Sequence, residues 1–231
     1  MKIVVIGGTG RIGSQVVENL RAAGHEPLAA SPGTGVDSVS GEGLAQALQG
    51  AKVVIDVSNS PSFADEPVLH FFRTSTQNLL NAARETGVVH YVALSIVGTH
   101  LMNDSGYMRA KNAQEALIVG GAIPYSIVRA TQFFEFVTAI ADISTRDGAV
   151  HLAPVQFQPI ASADVARFVS DVALDEPLQG TIDIAGPDVF KLDELVARTL
   201  AARKDARKVV SDPSAAYSGA ALKERSLVPQ G

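Results

Sequence analysis

Short runs of β-branched residues alternate with longer stretches that carry apolar residues every third or fourth position, from the N-terminus to about Arg129. The runs Lys2–Ile6, Glu26–Ala30, Lys52–Val57, Val89–Leu94 and Tyr125–Arg129 predict strands. The intervening stretches Ile12–Ala23, Gly43–Leu48, Glu66–Thr86 and Met108–Val119 predict helices. Several of the strands are apolar at consecutive positions, as expected of a parallel sheet with helices on both faces. Right-handed crossovers then give an α/β, doubly wound parallel sheet, a Rossmann-type fold. The weakest strand is Glu26–Ala30, because a turn-rich stretch, Ser31–Gly41, follows where a full crossover helix is expected.

Beyond Arg129 the periods mix. The pattern predicts a helix near Phe134–Ile143, short strands at Val150–Ala153 and Gln156–Ile160, and a helix over Ala163–Leu174 with Ser162 as N-cap. A strand at Thr181–Ala185 and a helix at Leu192–Ala202 follow, and the tail Ser211–Gly231 has little periodicity. No linker or repeat divides the chain. We therefore expect a single domain over residues 1–231, with a small C-terminal substrate-binding region, a cap of about 132–231, grown on the same core.

Composition narrows the classes. A length of 231 residues buries a substantial core. The net charge of −5 argues against nucleic acid as a partner, which demands clustered cations. The one basic cluster, Arg203, Lys204, Arg207 and Lys208, is interrupted by Asp205 and reads as a solvated helix end. With no cysteine there is no disulfide, thiolate nucleophile or Cys-type zinc site. His25, His70, His90 and His151 share no ligand spacing, so no metal is assigned. The apolar N-terminal run is too short for a secretory signal and no stretch has the length of a membrane span, so a cytoplasmic protein is expected.

The chemistry begins at Ile3–Ile6, which runs into Gly7-Gly8-Thr9-Gly10-Arg11-Ile12-Gly13 and then into a helix bearing Ile12, Val16, Val17 and Leu20. Glycines at these spacings serve a tight turn, close approach of backbone to a pyrophosphate, and close packing of helix on strand. The helix N-terminus offers free N–H groups to phosphates. Strand before and helix after are the context that gives such a motif weight. An acidic residue at the end of the second strand would mark NAD, by bonding the ribose 2′-hydroxyl. Here that region reads Leu28-Ala29-Ala30-Ser31-Pro32. Arg11 and Ser31 are instead suited to a 2′-phosphate, so NADP(H) is preferred, with NAD(H) as the alternative.

Tyr107 and Lys111 stand four residues apart, on one face of a helix. A neighbouring ammonium lowers a phenol's pKa, which would prepare Tyr107 to exchange a proton with a substrate oxygen. Ser95 ends the preceding strand, where its hydroxyl could bond the same oxygen. A Tyr-x-x-x-Lys pair alone is a common accident and reads as half-buried filler and a solvated charge; its place after the fourth strand, behind Ser95, favours chemistry.

Together, IGGTGRIG, DVSNSPSF, YVALSIVG ending in Ser95, YMRAK and PYSIVRATQFFEF resemble the short-chain dehydrogenase/reductase superfamily, and within it the atypical NmrA-like NAD(P)-binding branch. The resemblance runs over essentially the whole chain. It implies a Ser95–Tyr107–Lys111 catalytic triad, Lys111 also reaching the nicotinamide ribose. It implies Ser58, Asn59 and Ser60 along the cofactor path, and the segment from Arg129 through Thr131 to Phe134 beside nicotinamide and substrate. Ser31 departs from the basic residue frequent in the family after the second strand. The branch also contains proteins that bind dinucleotide without turnover.

Phe133, Phe134 and Phe136 are candidates for an apolar pocket around an aromatic or quinone-like substrate, with core as the competing role. Phe71 and Phe72 read as core, His100 as a loop residue, and Asp164 and Asp171 as an exposed helix face. The expectation is an NADP(H)-dependent oxidoreductase acting on a small carbonyl, enone or quinone. The alternative is a redox sensor or scaffold whose NADP(H) occupancy tunes association with a protein. The oligomeric state is open in the sequence, and apolar helix faces are compatible with a homodimer.

Overall fold

In the computed structural model of the chain, residues 1–230 are described; Gly231, the last residue of the tail, lies outside them. The N-terminal part alternates β1 (Lys2–Ile6), α1 (Arg11–Ala22), β2 (Glu26–Ala30), α2 (Leu44–Leu48), β3 (Val53–Asp56), α3 (Asp65–Thr86), β4 (His90–Ile96), α4 (Gly106–Val119) and β5 (Tyr125–Ala130). The remainder carries α5 (Val137–Ile143), β6 (Thr145–Arg146), β7 (Ala149–Leu152), β8 (Gln156–Phe157), α6 (Ser162–Leu174) and β9 (Gly180–Ile184). It ends with β10 (Phe190–Lys191), α7 (Leu192–Ala202), β11 (Lys208–Ser211), β12 (Ala216–Tyr217) and β13 (Ala220–Ala221).

Six strands form the central sheet in the order β2-β1-β3-β4-β5-β9, every neighbouring pair parallel. The order reverses at β1, so the crevice beyond the C-terminal ends of β1 and β3 is the place where such sheets bind ligands. Residue alternation explains the two-sided core. Ile3 and Val5 of β1, Val53 and Ile55 of β3 and Val128 of β5 pack under α1 and α6. Val4, Val54, Tyr91, Ala93 and Ile127 face the other way, beneath α2, α3 and α4. The α/β, doubly wound expectation therefore holds.

The strand whose pattern was faint is an edge. β2 pairs only with β1, carries Pro27, which has no N–H to give a second neighbour, and exposes Leu28. After it comes a 3₁₀ turn at Pro32–Thr34 and an irregular path to the short α2, where a full crossover helix was expected.

The segment after Ala130 is shared between two places. α6 and β9 belong to the central layers, α6 lying against α1 and β9 on β5. α5, β7, β8, α7 and the tail enclose a separate cluster with Val137, Leu152, Phe157, Leu195 and Leu227 at its centre. Ser162 is not the cap of α6. Ala161 holds that position, and the Ser162 N–H and hydroxyl both donate to the Glu135 carboxylate, at 3.0 and 2.5 Å. Lys208–Ser211, unmarked in the sequence, is a strand because β7 supplies a parallel partner.

Candidate functional site

A cleft of about 1190 Å³ opens along the C-terminal ends of β1, β3, β4 and β5. It exceeds the ordinary range for a drug-sized ligand, roughly 300–1,000 Å³, and suits a long ligand with a second molecule beside it. Its floor begins at the glycine turn. Gly7 holds φ +77, and a Cβ there would lie 2.9 Å from the Ser58 backbone. At Gly13 a Cβ would stand 2.1 Å from the Gly7 carbonyl oxygen, so only glycine lets α1 start this close to β1. Gly8 is buried behind the turn and does not line the cleft.

α1 begins without a capping side chain: Gly10 is its N-cap. The N–H groups of Thr9, Arg11, Ile12 and Gly13 find no acceptor among the described residues. All four residues face the cleft. A bare helix N-terminus with a positive dipole end is an anion cradle, so the residues present fit a pyrophosphate.

Around this cradle the cleft gathers Ser31, Ser58, Asn59, Ser95, Tyr107, Lys111, Thr131 and Phe133. It leaves out Ser60, whose buried hydroxyl accepts from the Ser62 N–H, and Phe134, which is exposed and packs edge-on to Phe190. Phe136 takes the place expected of Phe134. It stacks on Phe133 with ring centroids 5.5 Å apart, and the Arg11 guanidinium lies 5.7 Å above its ring. Phe72 is fully buried as expected, whereas Phe71 reaches the cleft wall.

Tyr107, on the first turn of α4, donates to Asn59 Oδ1 at 3.0 Å, and its ring leans on Phe63 and Phe72. Burial pushes its pKa up to about 12, against the smaller lowering effect of the Asn59 bond. The expected lowering by Lys111 is absent, for a geometric reason. The Lys111 ammonium points into the protein, donates to the Leu94 carbonyl at 2.8 Å and to Gln114 Oε1, and lies 4.4 Å above the Phe72 ring. Burial brings Lys111 down to about 8, opposed by the charges of Asp56 and Glu115.

Beneath the cleft these groups join a buried polar network that sequence reasoning missed. Asp56, ending β3, accepts from the Tyr91 hydroxyl (3.1 Å), Gln114 Nε2 (2.9 Å) and the Ser58 hydroxyl (2.6 Å). Glu115 accepts from Ser95 Oγ at 2.5 Å and from Arg129 at 3.1 and 2.5 Å. The Ser95 proton is thus directed at Glu115. Arg129 is held above its usual range, first by its hydrogen bonds to Glu115.

Two further groups escaped the sequence. Asp37 lines the cleft on the β2 side; its Oδ1 accepts from the Val39 and Ser40 N–H groups at 2.7 and 3.3 Å. Tyr217, from the tail, faces the same cavity, its pKa raised first by burial and then by the nearby Tyr107. Only contact across the fold, and no local spacing, could have revealed either.

Residues 34–176 match the family described as NAD(P)H-binding. The chain belongs to that family. It is 26% identical over 218 residues to the photosystem II assembly factor Ycf39 of Cyanophora paradoxa, covering 84% of this chain and 68% of that protein. It is 30% identical over 227 residues to the chloroplastic divinyl chlorophyllide a 8-vinyl-reductase of Cucumis sativus, covering 80% of this chain and 52% of the reductase. The chain thus spans about two thirds of the one relative and about half of the other. Among solved structures, the NADPH complex of the quinone oxidoreductase QOR2 from Escherichia coli superposes with a TM-score of 0.64 at 21% identity, over 91% of this chain and 77% of that one. The NADP complex of dTDP-4-dehydrorhamnose reductase from Bacillus anthracis gives 0.73 at 15% identity, over 91% and 84%. These likenesses agree with the Rossmann-type sheet. Among the described residues no helix is long and apolar enough to cross a membrane.

Proposed function

We propose that the protein is an NADP(H)-dependent oxidoreductase that reduces a small carbonyl, enone or quinone. One observation carries the reading: the bare N-terminus of α1 and Tyr107 line one cleft, which Phe63, Phe133 and Phe136 also line. When bound, NADPH supplies the hydride. The orphan N–H groups of Arg11, Ile12 and Gly13 hold its pyrophosphate. Arg11, whose guanidinium rests over the Phe136 ring and helps hold the Glu135 carboxyl down, serves a 2′-phosphate by turning toward the β2 edge of the cleft. Asp37 would favour a 2′-hydroxyl instead, but one of its oxygens is already engaged by two backbone N–H groups.

Tyr107 acts as general acid. With a pKa near 12 it stays a phenol across the neutral range and gives its proton to the substrate oxygen that gains charge. The Asn59 amide, which holds the phenol through Oδ1, has its NH₂ group free to bond the same oxygen. Lys111 acts through position: it ties α4 to β4 and balances Asp56 and Glu115 under the site. Ser95 contributes to the developing oxyanion only when its proton leaves Glu115. Thr131, Phe133 and Phe136 shape the substrate end. The small C-terminal region around β12 and β13 closes it, within a single domain. The protein works in the cytoplasm, and homodimerisation would use its exposed apolar faces.

A second reading draws on the engagement of Ser95 and Lys111 by the buried network: a dinucleotide-binding sensor or scaffold, in which two triad residues are structural. NADPH oxidation by purified protein across ketones, enones and quinones, with Tyr107→Phe in parallel, separates the two. Turnover that collapses in the variant while NADPH binding persists supports the enzyme. Binding without turnover in either protein supports the sensor.

A further inference from the structure

Ser95 spends its proton inside the protein. Its hydroxyl donates to Glu115 Oε1 at 2.5 Å, and Glu115 is the one partner that the described residues give its Oγ. The carboxylate has no proton to return. The Arg129 Nε–H donates to the same oxygen at 3.1 Å and an Arg129 Nη2–H to the other at 2.5 Å, so both oxygens are acceptors. Arg129 is held in place by the sheet, where it lies beside Ser95 in the β4–β5 pairing. Ser95 is 3% exposed and Glu115 7%, so water competes little for a charge-assisted bond of this kind.

A serine hydroxyl offers one donor and two acceptor sites. With the donor committed, Ser95 has only lone pairs left for a ligand. Ser95 belongs to the cleft wall, as does Tyr107. Lys111, one helical turn beyond Tyr107, is tied to the carbonyl of Leu94, the residue before Ser95. That tie brings the two hydroxyl-bearing residues to one end of the cleft with opposite polarity: Tyr107 donates a hydrogen bond and Ser95 accepts one.

The complement is a ligand with a carbonyl for Tyr107 and, on the neighbouring atom, an O–H or N–H for Ser95. A plain ketone leaves the Ser95 lone pairs facing carbon, and a buried acceptor left without a partner costs affinity.

We propose that Glu115 and Arg129 set Ser95 as a hydrogen-bond acceptor, and that the site thereby selects carbonyl compounds carrying a hydroxyl or N–H on the adjacent atom. Glu115 is a positioning residue that acts through Ser95. The inference rests on the reading of the cleft as a substrate site beside the dinucleotide, and its test needs no turnover. Two ketones are titrated calorimetrically into the NADP⁺-saturated protein, which cannot reduce them. They are 2-hydroxy-2-methylpropiophenone, a tertiary alcohol that cannot be oxidised, and 2-methylpropiophenone, which lacks only the hydroxyl. Wild type should bind the hydroxy ketone about tenfold more tightly than the plain one. Ser95→Ala should bring the two within about twofold. In Glu115→Gln the amide oxygen stays with Arg129 and the NH₂ donates to Ser95, which turns the Ser95 proton toward the cleft. That variant should bind the plain ketone about fivefold more tightly than wild type, and the gain should vanish when Ser95→Ala is added. A merely structural role for Glu115 gives no such gain. Equal binding of the two ketones by wild type, binding of neither, or a preference that survives in Ser95→Ala overturns the proposal. So does a Glu115→Gln protein that melts like wild type without the gain; if it melts well below wild type, Ser95→Ala decides alone. Absence of NADP⁺ binding overturns the dinucleotide reading, and the same affinity ratios in the free protein then decide the proposal.

Discussion

Gly10→Asp separates binding from stability at the glycine turn. Gly10 is the N-cap of α1, with φ −80 and ψ 179, a conformation open to any L residue. An added Cβ would lie 3.2 Å from the Gly7 carbonyl oxygen, tight but tolerable. A carboxylate there caps the orphan N–H groups of the first turn, gaining a few tenths of a kcal/mol over glycine. Its charge at the helix N-terminus adds about 0.3–1 kcal/mol. Small as these are, they raise the melting temperature by about 1–4 °C in a chain of this length. For a pyrophosphate the same change is severe. A like charge about 5 Å away costs roughly 3 kcal/mol at an effective dielectric of about 20, or about a hundredfold in affinity, before the lost N–H donors are counted. Thermal melts of the free protein and NADPH titration read the two effects separately. Wild-type affinity in Gly10→Asp would refute the assignment of the phosphate cradle. A drop of several degrees in the free protein would refute the account of the turn.

Three other outcomes follow from the site. Tyr107→Phe should lower kcat by about a hundredfold or more, measured by NADPH oxidation, with the NADPH dissociation constant within about twofold. Glu115→Ala leaves Arg129 without its partner in a site where the two side chains are 21% and 9% exposed. Losing one member of such a pair costs about 3 kcal/mol, a fall of about 6–12 °C by calorimetry. Lys111 has a folded-state pKa near 8, below its unfolded value, so the folded protein releases its proton first. Its contribution to stability therefore rises between about pH 8 and 10.4, by up to ~3 kcal/mol, and is least favourable below pH 8. Urea melts of wild type and Lys111→Met at pH 7.5 and 9.5 span about 2 kcal/mol of this rise, in favour of wild type at the higher pH.

The parts of the fold legible in the sequence are those where one strand period or one helix period meets a uniform environment. β1, β3 and β5 are apolar on both faces because helices cover both, and the glycine turn stands out because sterics at Gly7 and Gly13 exclude other residues. β2 and β11 were faint because edge strands bury little: most of β11 is exposed, and only β7 gives it a partner. The polar network was hidden for the opposite reason. On α4, Lys111, Gln114 and Glu115 are buried, so its inward face carries charges that read as a solvated surface. Pairing of Glu115 with Arg129, and of Gln114 with Asp56, comes from strands and a helix far apart in the chain. The same holds for Tyr217, brought to the cleft by the packing of the tail.

The most direct test of the central claim is calorimetric titration of the purified protein with NADPH and, separately, NADH. Saturable one-to-one binding, with NADPH the tighter ligand and its affinity falling as salt rises, is the result expected from the bare α1 terminus and Arg11. Tighter binding of NADH would contradict the 2′-phosphate assignment and put Asp37 at the ribose, and no saturable binding of either would contradict the dinucleotide site itself.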